Sequence, residues 1–337
     1  MPDHFQPDDD TDPTISSLRH TLTTESTPLA HRFRALFSLK HLASTHPPTA
    51  QTAPAIRAIA AAFASPSALL KHELAYCLGQ SKNVAAVPYL EAVLRDVDED
   101  AMCRHEAAEA LGAIGDVGCV GLLRAFRDRV GEEVVVRETC EIAVERIEWE
   151  VGRGGKEEEE EIKTSDFVSI DPAPPLAQTA SVDVPALERT LLDTKLPLFQ
   201  RYRAMFALRD LSSPPDLPTA VPAVHALARG LSDPSALFRH EIAFVFGQLS
   251  HPASIPSLIE TLSDLKEESM VRHEAAEALG SLGEEDGVEE VLRRFLDDPE
   301  QVVRESVVVA LDMAEFEKSG ALEYSTIPSV ASVQQAA

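Results

Sequence analysis

Apolar positions recur three and four residues apart along most of the chain, the period of a helix that buries one stripe. The stretch 85–114 shows the unit. Val87, Leu90, Val93 and Leu94 share a face, a polar turn follows, and a second helix is predicted over 102–114 with Gly115 as its stop. Upstream of His72 and His240, Ser65-Pro66 and Asp233-Pro234 predict an N-cap followed by an N1 proline, which sets each histidine about two turns into its helix.

The unit repeats. Arg104-His-Glu-Ala-Ala-Glu-Ala-Leu-Gly112 recurs letter for letter as Arg272 to Gly280, and His72 to Gln80 is answered at the same offset by His240 to Gln248. Inside each half a shorter period of 33 relates His72 to His105 and His240 to His273. First units at Arg32 and Arg201 and last units at Arg137 and Arg304 complete four hairpins per half. Single hairpins cannot bury their apolar faces, so they stack. The predicted fold is all-α, an α-solenoid of eight helical hairpins in two pseudo-twofold-related halves of four.

The expected boundaries are an acidic, disordered tail at 1–16, a first half at 17–150, a flexible acidic and Pro-rich linker at 151–183, a second half at 184–318 and a disordered tail at 319–337. The linker contains five consecutive glutamates, Glu157 to Glu161.

Composition narrows the partners. A net charge of −26 argues against nucleic acid and against an anionic membrane, and makes a basic protein the natural partner of a monomeric chain. No apolar run is long enough to span a bilayer, and the start lacks the basic-then-apolar pattern of a secretory signal, so the expected compartment is the cytoplasm, with the nucleus second. Cys77, Cys103, Cys119 and Cys140 have no CxxC spacing and read as reduced core residues.

Four of eleven histidines occupy one register of the repeat, each followed at once by glutamate: His72-Glu73, His105-Glu106, His240-Glu241 and His273-Glu274. Neighbours on a helix point about 100° apart, so one pair does not easily grip a single ion with both side chains. Two adjacent repeats bring two imidazoles together, and the second half supplies two more with their carboxylates, which suits a dinuclear centre. Imidazole and carboxylate without thiolate point to a metal of intermediate hardness, non-haem iron foremost. Alanine three residues after each histidine (Ala75, Ala108, Ala243, Ala276) and glycine seven after (Gly79, Gly112, Gly247, Gly280) are expected to leave room beside the rings. Close helix packing explains those small residues equally well, but it does not explain His-Glu. Tyr76 and Phe244, four residues after a histidine, read as ordinary core.

On these four pairs and the hairpin repeat, the sequence resembles the deoxyhypusine hydroxylase family of HEAT-repeat di-iron monooxygenases, over roughly residues 30–150 and 185–312. The resemblance implies O₂-dependent hydroxylation of the deoxyhypusine side chain of eukaryotic translation initiation factor 5A, completing hypusine. It implies two Fe(2+) per chain, O₂ as co-substrate and an external reductant. It further implies cross-coordination, with His72, His105 and Glu241 on one iron and His240, His273 and Glu73 on the other. Glu106 and Glu274 are then further metal carboxylates and the catalytic candidates that match the ammonium groups of the substrate arm. The competing class is a metal-free HEAT-repeat scaffold that only binds proteins.

Overall fold

The structure, a computed structural model, describes residues 12–153, 167–176 and 183–319. Among these residues there are sixteen α-helices and no strand, paired as the eight hairpins that the repeat predicts. In the first half α1 (Pro13–Thr23) pairs with α2 (Leu29–Ala43), α3 (Thr52–Ala61) with α4 (Ala68–Gln80), α5 (Val87–Arg95) with α6 (Ala101–Ile114), and α7 (Val120–Arg127) with α8 (Val134–Arg153). The second half pairs α9 (Val184–Leu192) with α10 (Leu198–Leu211), α11 (Ala220–Arg229) with α12 (Ala236–Leu249), α13 (Ile255–Ser263) with α14 (Ser269–Gly280), and α15 (Val288–Arg293) with α16 (Gln301–Ser319). Among the described residues no helix is long and apolar enough to cross a membrane.

Buried arginines set the register of the stack. Each hairpin leaves the last carbonyls of its first helix without an intrahelical donor. In five hairpins an arginine near the start of the second helix donates its Nε to a carbonyl ten positions back: Arg32 to Leu22 (2.8 Å), Arg104 to Leu94 (3.3 Å), Arg137 to Arg127 (3.1 Å), Arg201 to Leu191 (2.9 Å) and Arg272 to Leu262 (3.0 Å). Arg137 is exposed, but the other four are buried and the rest of each guanidinium reaches the turn of the next hairpin. Arg104 makes a two-pronged pair with Glu132 (2.7 and 2.8 Å), Arg272 one with Asp298 (3.0 and 2.5 Å), and Arg201 bonds Asp233. One side chain thus closes its own hairpin and docks the following one, and a two-pronged buried pair tolerates little rotation of either helix.

The helix starts differ from the sequence reading. Ser67 and Ser235, not Ser65 and Asp233, are the N-caps of α4 and α12, accepting from Leu70 N (3.0 Å) and Phe238 N (3.1 Å). Ser65 and Asp233 are used one step outward, on Arg32 (3.2 Å) and Arg201. His72 and His240 consequently stand little more than one turn into their helices. Gly115 does stop α6, in the left-handed region at φ 79°.

The boundaries also shift. Asp12 caps α1 through Thr14 N (2.8 Å) and Ile15 N (3.3 Å), so residues 13–16, expected in the tail, are helical. The described residues form two compact units that divide between Cys140 and Glu141, inside α8 and upstream of the expected boundary. The end of α8 belongs to the second unit, where the Arg203 guanidinium lies 6.0 Å from the Trp149 ring centre.

The stretch expected as a free linker is docked on the second unit over 167–176. Asp171 receives two hydrogen bonds from Arg209 (2.8 Å each), whose side chain is wholly buried, and the Phe167 ring lies 4.3 Å from that guanidinium. Gln248 donates to Ser169 Oγ (2.7 Å), Leu176 N donates to Arg203 O (3.0 Å), and Pro172, Ala173 and Pro174 are buried. A buried guanidinium needs an anion beside it, and Asp171 supplies the two-pronged one, with Asp210 Oδ1 at 3.2 Å as a second. Residues 151–153 of the expected linker are instead the end of α8, and the glutamate run, with the rest of 154–166, 177–182 and the tails 1–11 and 320–337, lies outside the described residues.

Candidate metal centre

The four histidines sit on α4, α6, α12 and α14, the second helices of the two central hairpins in each half. In every case the preceding residue is a cation tied to the next hairpin: Lys71 to Glu99 (2.5 Å), Arg104 to Glu132, Arg239 to Glu267 (2.6 and 2.7 Å) and Arg272 to Asp298. Fixing the rotation of a helix at one residue fixes the azimuth of the residue after it. The ion-pair ladder therefore aims the imidazoles.

In the first unit the His72 and His105 rings are 5.5 Å apart, centre to centre, and His72 Nε2 lies 3.3 Å from Glu106 Oε2. In the second unit the His240 and His273 rings are likewise 5.5 Å apart, and His240 Nε2 lies 3.4 Å from Glu274 Oε2. All eight side chains are buried, from 0% exposure at His105 and His273 to 9% at Glu73. Each glutamate of α6 and α14 thus meets the histidine of the preceding hairpin.

The donors suit a metal. His72, His105 and Glu106 each offer one ligand atom within 4.8 Å of the others. Ligands about 2.1 Å from one ion stand about 3 Å apart at right angles, close to the imidazole–carboxylate spacings seen here. Burying imidazoles with carboxylates is costly unless the charge is neutralised, and a divalent cation does that. The thiols have another place. All four cysteines are buried and free, and burial pushes the Cys77 thiol well up, so it stays protonated and donates to Glu73 Oε1 at 3.8 Å.

The second unit adds two residues that the sequence reading passed over. Ser306 Oγ, on α16, lies 3.4 Å from His273 Nδ1 and donates to Glu277 Oε1 at 3.0 Å, and that carboxylate oxygen is 3.6 Å from the same ring nitrogen. Glu277 stands four residues after His273 on the same helix, a spacing that could have marked it.

The small residues act otherwise than expected. A Cβ on Gly79 would lie 2.7 Å from Ala110 Cα, and one on Gly280 would lie 2.8 Å from Ala310 Cα. These glycines let consecutive second helices close on each other rather than clearing space beside a ring. Tyr76 and Phe244 are half-buried rather than core, and Lys40 Nζ lies 4.7 Å from the Tyr76 ring centre.

Comparison with known proteins places this arrangement. The sequence matches the HEAT-repeat family over residues 56–144 and 224–312, the regions that hold all four His-Glu pairs. It is 70% identical to the deoxyhypusine hydroxylase of Phaeosphaeria nodorum over 323 residues, covering 96% of this chain and 98% of that one. With the deoxyhypusine hydroxylase of Chaetomium globosum it shares 71% identity over 317 residues, covering 94% and 92%. A solved structure of human deoxyhypusine hydroxylase in complex with glycerol superposes with a TM-score of 0.78 at 45% identity, covering 90% of this chain and 96% of that one. Repeats, buried His-Glu clusters and near full-length identity agree, and the chain belongs to the deoxyhypusine hydroxylase family of HEAT-repeat proteins.

Proposed function

We propose that this chain hydroxylates the deoxyhypusine side chain of eukaryotic translation initiation factor 5A, using two Fe(2+), O₂ and an external reductant. The observation that carries the reading is the pairing of two buried imidazoles with a carboxylate in each half, in a chain whose relatives of near full-length identity bear that activity. A metal-free scaffold has no use for such clusters.

His72, Glu73, His105, Glu106, His240, Glu241, His273 and Glu274 would hold the two ions. When bound, the iron pair supplies oxygen activation: one atom of O₂ enters a C–H bond of the substrate arm and the other leaves as water, with two electrons and two protons from outside. The protein's own groups do the rest. Burial keeps bulk water from the reacting bond, and the helices hold the imidazoles in fixed orientation. Glu106 and Glu274 carry the charge that would bind the ammonium groups of the arm, and the net charge of −26 favours encounter with a basic protein. The chain would act as a monomer, in the cytoplasm and the nucleus.

Elemental analysis with a hydroxylation assay tests this. Wild type should carry roughly two irons per chain. His105→Ala and His273→Ala should fold, lose iron, and lose hydroxylation of the deoxyhypusine form of the factor. Full activity in either variant, or a wild type active without stoichiometric metal, would overturn the assignment.

A further inference from the structure

Resting on the di-iron reading and deepening it, we infer that Ser306 and Glu277 are positioning residues that hold His273 in its Nδ1–H form and so present Nε2 as the metal donor. The Ser306 hydroxyl has one proton, and the geometry commits it to Glu277 Oε1 at 3.0 Å. Its lone pairs then face His273 Nδ1 at 3.4 Å, with the Glu277 carboxylate on the same nitrogen at 3.6 Å. Both groups facing Nδ1 are acceptors, so the ring proton belongs there and the lone pair is left at Nε2. Ser306 is wholly buried on α16, so the last hairpin, which has no histidine in this register, contributes from behind the ligand.

The first half differs at the matching position. Counting from Arg304 and Arg137, the residue in the register of Ser306 in the first half is Thr139. Its hydroxyl donates to Val135 O at 2.8 Å, spending its single proton on its own helix. Thr139 thus does not supply the hydroxyl relay that Ser306 supplies to His273. A histidine whose far nitrogen donates to an acceptor, here the Ser306 hydroxyl backed by Glu277, is a more basic and better oriented ligand, and loss of such a partner typically weakens metal binding about 10- to 100-fold.

Two measurements on the full chain test this. In metal-free protein labelled with ¹⁵N-histidine, two-bond ¹H–¹⁵N correlation spectra report each tautomer, with His273 assigned by its loss in His273→Gln. Wild type should show His273 as Nδ1–H, and Ser306→Ala and Glu277→Gln should each shift it toward Nε2–H. Anaerobic calorimetry with Fe(II) alone should then show one of two binding events weakened about 10- to 100-fold in both variants, and neither weakened in Thr139→Ala. An Nε2–H ring in wild type, or a tautomer and two affinities unmoved by both variants, would overturn the inference. Failure of wild type to bind Fe(II) would instead remove the di-iron reading, while the tautomer would still report on Ser306 and Glu277.

Discussion

The two halves carry the same nine residues around one histidine, Arg104 to Gly112 and Arg272 to Gly280, yet the side chains packed against them differ. The side chains of Arg272 and Asp298 and of Arg104 and Glu132 form two almost fully buried pairs, but Glu132 also has Arg129 Nη1 at 3.5 Å. His273 has Ser306 behind it, while Thr139 turns its hydroxyl to its own backbone. Even the helix spacing is unequal, since a Cβ on Gly79 would meet Ala110 Cα at 2.7 Å and one on the matching Gly247 would meet Ala278 Cα at 3.4 Å. The ligand-bearing helices are alike and their supports are not. Duplication has kept the donors while the surrounding layer has moved apart.

Removing one cation from each half should have the largest effect. Arg272→Met leaves Asp298 buried without its main partner and should cost about 3–5 kcal/mol in urea unfolding. Arg104→Met should cost less, because Arg129 remains beside Glu132; equal losses would erase that contrast. The matching glycines come next. Gly79→Ala forces backbone apart and should destabilise by about 1–3 kcal/mol. Gly247→Ala meets only ordinary contact and should be neutral or stabilising by up to about 1 kcal/mol. A shared sign would show that the helix spacing is the same after all.

Acid should separate the halves more gently. The hydrogen bonds from Arg104 hold the Glu132 carboxyl below its usual 4.5. For Asp298, burial acts upward, but Arg272 and the Glu300 N–H outweigh it and hold the carboxyl below 3.8. Both folded values are depressed, so each contribution is present above the unfolded value and fades as pH falls through the folded one. On acidification the Glu132 contribution should begin to fade below pH 4.5 and that of Asp298 only below 3.8. Urea midpoints measured through that range should fall less steeply in Glu132→Gln than in wild type from the higher pH onward, and in Asp298→Asn only from the lower.

Repetition made the hairpins and the four His-Glu pairs legible, because one position read four times stands out against positions that vary. Features decided by contacts between hairpins were harder. Ser65-Pro66 looks like a cap because proline favours the first turn, but the backbone stays extended until Ser67, and Ser65 is left to serve Arg32. Glu277 is present in the sequence as one letter of a repeated motif, and its use depends on Ser306 a whole hairpin later, which no local pattern announces. The proline-rich stretch after the glutamates has a linker's composition. What docks it is Asp171 meeting Arg209, a contact set by tertiary packing alone.

That docked stretch decides where the molecule can be divided. Its carboxylate is, beside that of Asp210, a counter-ion of a guanidinium with no access to water, so residues 167–176 are a structural part of the second half rather than spacer. Separate expression of the halves should therefore begin the second fragment ahead of Phe167; one that started at α9 would carry Arg209 without that counter-ion.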